Sequence, residues 1–155
     1  MECVFCSETA LKFEKFYEDK HFIAVYNIRP VVKGHCLVIP KRHVESLLEL
    51  DENERKDFIS FSNKATFVAL KYAKANDFDF LLQMGENAGQ SIKHLHFHIL
   101  PRKRDDALAV NKKEFFHSFA EKENTVKTLT QNEMIAAVND LKNIAEKHKI
   151  QINEL

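Results

Sequence analysis

Apolar positions along the chain fall into runs of two periods. His21-Phe22-Ile23-Ala24-Val25-Tyr26 and His35-Cys36-Leu37-Val38-Ile39-Pro40 are short and nearly continuously apolar. Their β-branched and aromatic content predicts two strands. Asn27-Ile28-Arg29-Pro30 ends the first, and Val31-Val32-Lys33-Gly34 connects it to the second. Such close neighbours are expected to pair antiparallel. Asp51-Glu52-Asn53-Glu54 has the form of a helix N-cap with a glutamate three residues on. Behind it Phe58, Phe61, Ala65, Val68 and Tyr72 recur at helical spacing, which predicts a helix from about Glu52 to Ala75. Phe78 to Met84 reads as a third strand. Thr130-Gln131-Asn132-Glu133 repeats the capping pattern, and Met134, Val138, Leu141 and Ala145 form the face of a last helix ending near Lys147. Other stretches are less regular. Glu8 to Asp19 suggests a short helical turn, with Leu11, Phe13 and Phe16 as packing contacts. Ala107-Leu108-Ala109-Val110 reads as a short strand or loop, Lys112 to Glu123 as a short helix, and the tail after Lys147 is polar.

The strictest alternation is His94-Leu95-His96-Phe97-His98-Ile99-Leu100. In a strand, successive side chains point to opposite faces, so the three histidines share one face and Leu95, Phe97 and Ile99 the other. Burying three unpaired imidazoles is costly, so that face is expected to carry chemistry. Gly89, Gln90 and Ser91 stand at its mouth. Two chemistries suit the pattern: a three-histidine metal site with an open position for water, or nucleophilic catalysis by one imidazole with its neighbours orienting it.

Composition narrows the setting. The 155 residues suit one domain with a core of its own; 45% are apolar and 30% charged, as in soluble globular proteins. The formal net charge is zero and the pI near 7.1, which gives no basic surface for nucleic acid. No apolar run approaches the roughly 20 residues of a membrane helix. Met1-Glu2-Cys3-Val4-Phe5-Cys6 lacks the features of a secretory signal, so a cytoplasmic protein is expected. Three cysteines argue against a disulfide framework. Cys36, inside an apolar run, reads as a small core residue. Cys3 and Cys6 form a Cys-x-x-Cys pair, half of a zinc site or a redox pair. Redox pairs usually open a helix after a strand, and here nothing precedes the motif. A zinc ion would need two further ligands, which the histidines offer.

His94-Leu95-His96-Phe97-His98-Ile99-Leu100 resembles the signature of the histidine triad family, in which three histidines alternate with apolar residues. Gly85-Glu86-Asn87-Ala88-Gly89-Gln90-Ser91 before it and Pro101-Arg102 after it resemble the same family, particularly its dinucleoside-polyphosphate hydrolase-like members. Gly34-His35-Cys36-Leu37-Val38-Ile39-Pro40-Lys41-Arg42-His43 and Asn27-Ile28-Arg29-Pro30 are similar to two further family segments. The likeness runs from about Cys3 to Arg102. It implies an α+β fold, a meander of about five antiparallel strands with two main helices, in a single domain over residues 1–155 with a helical extension from about 103. Pairing as a homodimer is implied as well.

The resemblance also implies roles. His96 would be the nucleophile at the α-phosphorus of a purine nucleotide conjugate: a dinucleoside polyphosphate, a nucleoside phosphoramidate or an acyl-adenylate. His94 would orient it. His98, Gln90 and Ser91 would hold phosphate oxygens or aid the leaving group, and Arg102 and Lys103 would reach a longer polyphosphate. Asn27 stands where the family commonly has a ribose-binding aspartate, and Gln83 where many members have asparagine. Phe22, Val25 or Ile28 would wall the base pocket. Cys3, Cys6, His43 and His94 match the ligands of the structural zinc found in part of the family. Without zinc, His43 would hydrogen-bond within the histidine cluster. His117 reads as a surface residue. Two other functions remain open on the same residues: a catalytic zinc hydrolase with His94, His96 and His98 as ligands, and a non-catalytic nucleotide-binding adaptor.

Overall fold

The computed structural model describes residues 3–108 and 112–148. Five strands form one antiparallel sheet: β1 (Lys15–Glu18), β2 (Phe22–Tyr26), β3 (Cys36–Pro40), β4 (Asp77–Leu82) and β5 (Phe97–Arg102), in the order β1-β2-β3-β5-β4. The first three run as a meander. A long helix then carries the chain past the growing edge, so that β5 fits between β3 and β4. The helices are α1 (Glu8–Leu11), α2 (Glu52–Ala73), α3 (Lys112–Thr125) and α4 (Gln131–Lys147).

The alternation of β2 sorts the two sides of the sheet. Phe22, Ala24 and Tyr26 enter the main core with Phe61, Ala65 and Val68 of α2 and Met134, Val138 and Leu141 of α4. Ile23 and Val25, with Leu37 and Ile39 of β3, pack under Phe5 and Leu11 of the N-terminal segment. Both faces of β2 and β3 are therefore covered, and all five residues of each are buried. This is why their sequences read as continuous apolar runs rather than as alternation.

Both predicted capping boxes form. The Asp51 and Thr130 side chains accept from the backbone N–H of Glu54 and Glu133, whose carboxylates accept in return from the cap N–H groups. Helix α2 stops at Ala73 because Lys74 takes a left-handed conformation as its C-cap. Gly34 opens β3 at φ 87°, and a Cβ there would lie 3.0 Å from the Ala69 carbonyl and 2.9 Å from the Pro101 ring. Only glycine admits that approach of β3 to α2.

Some expectations shift. The mixed stretch after Glu8 holds the helical turn as α1, but also strand β1, whose bulge between Lys15 and Tyr17 hides its period. Strand β5 starts at Phe97, so His94 and His96 precede it, yet the alternation persists: Leu95, Phe97 and Ile99 all lie in the main core. Leu108 is buried against Phe115 and Phe119 of α3, while Ala109, Val110 and the tail after His148 lie outside the described residues. Arg102, expected near a polyphosphate, is engaged by protein groups. Its guanidinium donates to Asp79, to Asp106 and to the Leu108 carbonyl, which commits it to holding the loop after β5. Lys103 lies with Pro101 and Asp105 in a separate depression. No helix among the described residues is long and apolar enough to cross a membrane.

Candidate active site

Backbone partners assign the tautomers of the histidine cluster. His96 Nδ1 lies 2.7 Å from the His94 carbonyl. A carbonyl only accepts, so Nδ1 carries the proton and Nε2 keeps its lone pair. His35, fully buried at the start of β3, accepts the Val31 backbone N–H at Nδ1 (3.3 Å). Its proton is thus on Nε2, which donates to His98 Nδ1 at 2.9 Å and is also approached by the Asn27 amide nitrogen at 3.2 Å. That leaves His98 with its own proton on Nε2. The cluster presents one bare imidazole nitrogen, on His96, beside one N–H donor, on His98. The two rings lie 5.3 Å apart between centroids.

The same burial keeps these rings neutral. Desolvation lowers the pKa of His96, opposed by its bond to the His94 carbonyl. Burial, with the neighbouring His96, pushes His98 down to about 3. Burial also holds His35 well below the usual histidine range, with His98 and His96 adding to the effect. Phe119 of α3 packs against both His35 and His98 and helps to exclude water from that pair.

His96 and His98 open into a pocket of about 440 Å³, within the range of small-molecule sites. Ser91, Gly89 and Gln83 line it near the histidines. Phe5, Val4, Leu37, Ile28 and Ile92 give it apolar walls, Asn27 lies between, and Glu14, Arg29, Glu123 and Asn124 complete the lining. Gly89, at φ 91°, brings the loop so close to the Gln83 amide that a Cβ there would lie 2.8 Å from its Nε2.

On the other side of Phe5 stands a second cluster. The ligand atoms of Cys3, Cys6, His43 and His94 all lie within 4.8 Å of one another. His94 Nδ1 is 3.4 Å from Cys3 Sγ and 3.5 Å from Cys6 Sγ, and His43 Nδ1 is 3.2 Å from Cys6 Sγ. Tetrahedral zinc with ordinary Zn–S and Zn–N bonds has S···N edges of about 3.6 Å. His94 Nε2–H donates to the Pro40 carbonyl at 2.9 Å, which turns the basic Nδ1 toward the thiols and supplies the outer-shell support typical of metal histidines. The donor set fits a closed zinc site. By contrast, the three alternating histidines do not converge on one point: His94 Nδ1 faces thiols, His98 Nδ1 faces His35, and His96 Nδ1 faces a carbonyl.

A family model described as HIT domain matches residues 8–105. The chain belongs to the HIT family. An uncharacterized HIT-like protein of Methanocaldococcus jannaschii is 36% identical over 110 residues, covering 70% of this chain and 84% of that protein. Bis(5'-adenosyl)-triphosphatase of Dictyostelium discoideum is 36% identical over 93 residues, covering 60% of this chain and 62% of that enzyme. Among solved structures, a hypothetical histidine triad nucleotide-binding protein of Sulfolobus tokodaii superposes with a TM-score of 0.76 at 29% identity, covering 98% of this chain and 97% of that one. A Zn-bound histidine triad family protein of Mycobacterium smegmatis gives 0.63 at 25% identity, covering 92% and 97%. The five-stranded antiparallel sheet with helices is the HIT fold.

Within this HIT framework the expected site residues divide. Asn27, Ser91, His96 and His98 meet in the pocket, and Cys3, Cys6, His43 and His94 meet in the second cluster. Gln90 does not line the pocket: its Oε1 accepts from Gly85 N–H and its Nε2 donates to the Glu45 carbonyl, so it braces the loop. Of the base-wall candidates only Ile28 lines the pocket. Phe22 faces α2 on the opposite side of the sheet, as its alternation with Ile23 requires, and Val25 is sealed beneath Leu37 and Phe5. Sequence reasoning gave no site role to His35, Phe5, Leu37 or Glu14. His35 carried a signal, a single polar residue after a glycine at the head of an apolar run; Glu14 carried none.

Proposed function

We propose that the chain is a nucleotide-binding hydrolase or transferase that acts at the α-phosphate of a purine nucleotide conjugate through a covalent nucleotidyl-His96 intermediate. One observation carries this: His96 Nδ1–H is tied to the His94 carbonyl, so its remaining nitrogen, bare and neutral, serves the pocket. Attack by Nε2 forms a P–N bond while the bond to the leaving oxygen or nitrogen breaks. The leaving group departs with that electron pair and is protonated. Water or another acceptor then displaces His96 from phosphorus and releases its own proton, so one difficult displacement becomes two easier ones. His98 Nε2–H and Ser91 hold the phosphoryl oxygens, where fixed donors act best on developing charge. His94 orients His96 through its carbonyl, His35 holds the tautomer of His98, and Asn27 meets the ribose. Gln90 acts on the phosphate loop through its backbone bonds. The Dictyostelium bis(5'-adenosyl)-triphosphatase, by its name, acts on a substrate of this class.

In this reading Cys3, Cys6, His43 and His94 hold zinc as a cross-link, since four protein ligands close the tetrahedron. The ligands bracket Val4 and Phe5, so the same cross-link steadies one pocket wall. The whole chain, 1–155, works as one HIT domain with the segment from about 103 as a helical extension, and Phe119 and Glu123 of α3 join the site from there. Two copies pair through β4, an edge strand with Phe78 and Phe80 exposed. That Cys3 and Cys6 form no disulfide suits the cytoplasm.

The test is intact-protein mass spectrometry after brief mixing with an adenosine phosphoramidate and, separately, diadenosine tetraphosphate. Wild type is expected to gain the mass of one adenylyl group transiently, and His96→Asn to gain none while folding normally. Absence of both adduct and turnover with either compound refutes the proposal.

A further inference from the structure

The pocket contains a carboxyl group that nucleotidyl transfer does not use. Glu14 precedes β1, and its carbonyl accepts the Tyr26 N–H at 2.9 Å, which seats it beside the turn that presents Asn27. Its side chain lines the same pocket as His96 and His98, but at the other end. His98 is in register with Leu37, Leu37 with Val25, and Val25 with Lys15. Glu14 therefore stands about three strand spacings, roughly 14 Å, from His98 across the sheet. Between the two ends lie Asn27 and the apolar walls of Phe5, Leu37 and Ile28. Phosphate donors at one end, the Asn27 amide in the middle and apolar walls beyond follow the long axis of a nucleoside monophosphate. Glu14 terminates the pocket.

We propose that Glu14 is the base-reading group of this pocket, its carboxyl accepting hydrogen bonds from an amino group on the edge of the nucleobase. The substrate class is then a nucleotide whose base carries an exocyclic amine, as adenine and guanine do. The assignment rests on the nucleotide reading of the pocket.

Three observations support it. First, the carboxyl of Glu14 makes no hydrogen bond or ion pair among the described residues, although Lys15 next to it pairs with Glu18. A half-buried acceptor without a partner is costly unless a ligand supplies donors. Second, burial alone pushes its carboxyl up to about 7, with no charged neighbour contributing. The cation in the pocket, Arg29, acts instead on Glu123. Third, a carboxylate only accepts, which matches amino groups and opposes bare ring nitrogens or carbonyls presented at the same place.

Titration calorimetry at about pH 8, above the Glu14 transition, with two matched pairs tests the proposal. AMP differs from purine riboside 5'-monophosphate only in the 6-amino group, and GMP differs from IMP only in the 2-amino group. Wild type is expected to bind the amino-bearing member of at least one pair about ten- to hundredfold more tightly, as for a hydrogen bond to a charged group. Glu14→Leu should erase that difference and leave affinity for the amino-free nucleotides undiminished. Glu14→Gln, which keeps one acceptor oxygen, should retain part of it. A wild type indifferent to the amino group, or a preference that survives in Glu14→Leu, overturns the assignment while leaving the nucleotide reading standing. Failure of wild type to bind any of the four nucleotides overturns both.

Discussion

Acid should destabilise this protein earlier than its carboxylates alone would allow, because His35 and His98 are folded in neutral form. The sign follows from proton counting. His98 has a pKa of about 3 in the fold against 6.5 as the ordinary value, so between those limits the unfolded chain holds a proton that the native chain refuses. Its contribution to stability is complete above pH 6.5 and is lost as pH falls toward 3. At about 1.4 kcal/mol per pKa unit, the interval of about 3.5 units corresponds to roughly 5 kcal/mol. That is comparable to the whole stability of a small domain. His35, held below its usual range by burial, acts with the same sign. The assay is urea unfolding followed by circular dichroism, in half-unit steps from about pH 7.5 to about pH 4.5, with chelator in every sample so that metal release contributes equally. The comparison is wild type against His98→Asn, which fills the site with a polar group that does not titrate. Absolute stabilities will differ because the His35 bond is altered, so the slope against pH is the readout. Below pH 6.5 the wild-type slope should exceed that of the variant by up to about 1.4 kcal/mol per pH unit. Parallel slopes would refute the buried neutral assignment of His98, and with it the tautomer relay from His35.

The Cys-His cluster and the sheet edge each make a separate prediction. Chelation, or Cys6→Ser, should lower the unfolding midpoint, since a ligand bound only by the native state at a hundredfold over its dissociation constant contributes about 2.7 kcal/mol. Because Val4 and Phe5 lie between the cluster's ligands and the pocket, KM should rise more than kcat falls; a loss of kcat at unchanged KM would instead give the metal a part in the chemistry. Sedimentation should find two copies associated in wild type and one in Phe78→Lys, which places a charge on the exposed β4 edge; a monomeric wild type would rule out pairing through β4.

Much of this molecule is legible along the chain because the deciding contacts are local. Capping boxes at Asp51 and Thr130 and the helical spacing behind them need only the neighbouring turn, and they appear where read. The alternation from His94 to Ile99 sorts chemistry from core by strand geometry alone, even though regular strand begins only at Phe97. The candidate metal ligands follow from a family likeness rather than from spacing, and Cys3 and His94, 91 positions apart, do meet. Tertiary structure decided the rest. Which side of β2 faces the pocket depends on where α2 and α4 close the core, and that placed Phe22 beneath a helix rather than beside a base. The role of His35 depends on β5 entering next to β3, which brings it against His98 from 63 residues away. Arg102 was claimed by Asp79 of β4, a neighbour that only the sheet order supplies. Glu14 follows the same rule: nothing in its local pattern distinguishes it from the other charged residues of its segment, and its burial at the end of the pocket arises only when β1 joins the sheet. Spacing along a chain sets which residues share a face, whereas the order of strands and the closing of the core set what that face meets.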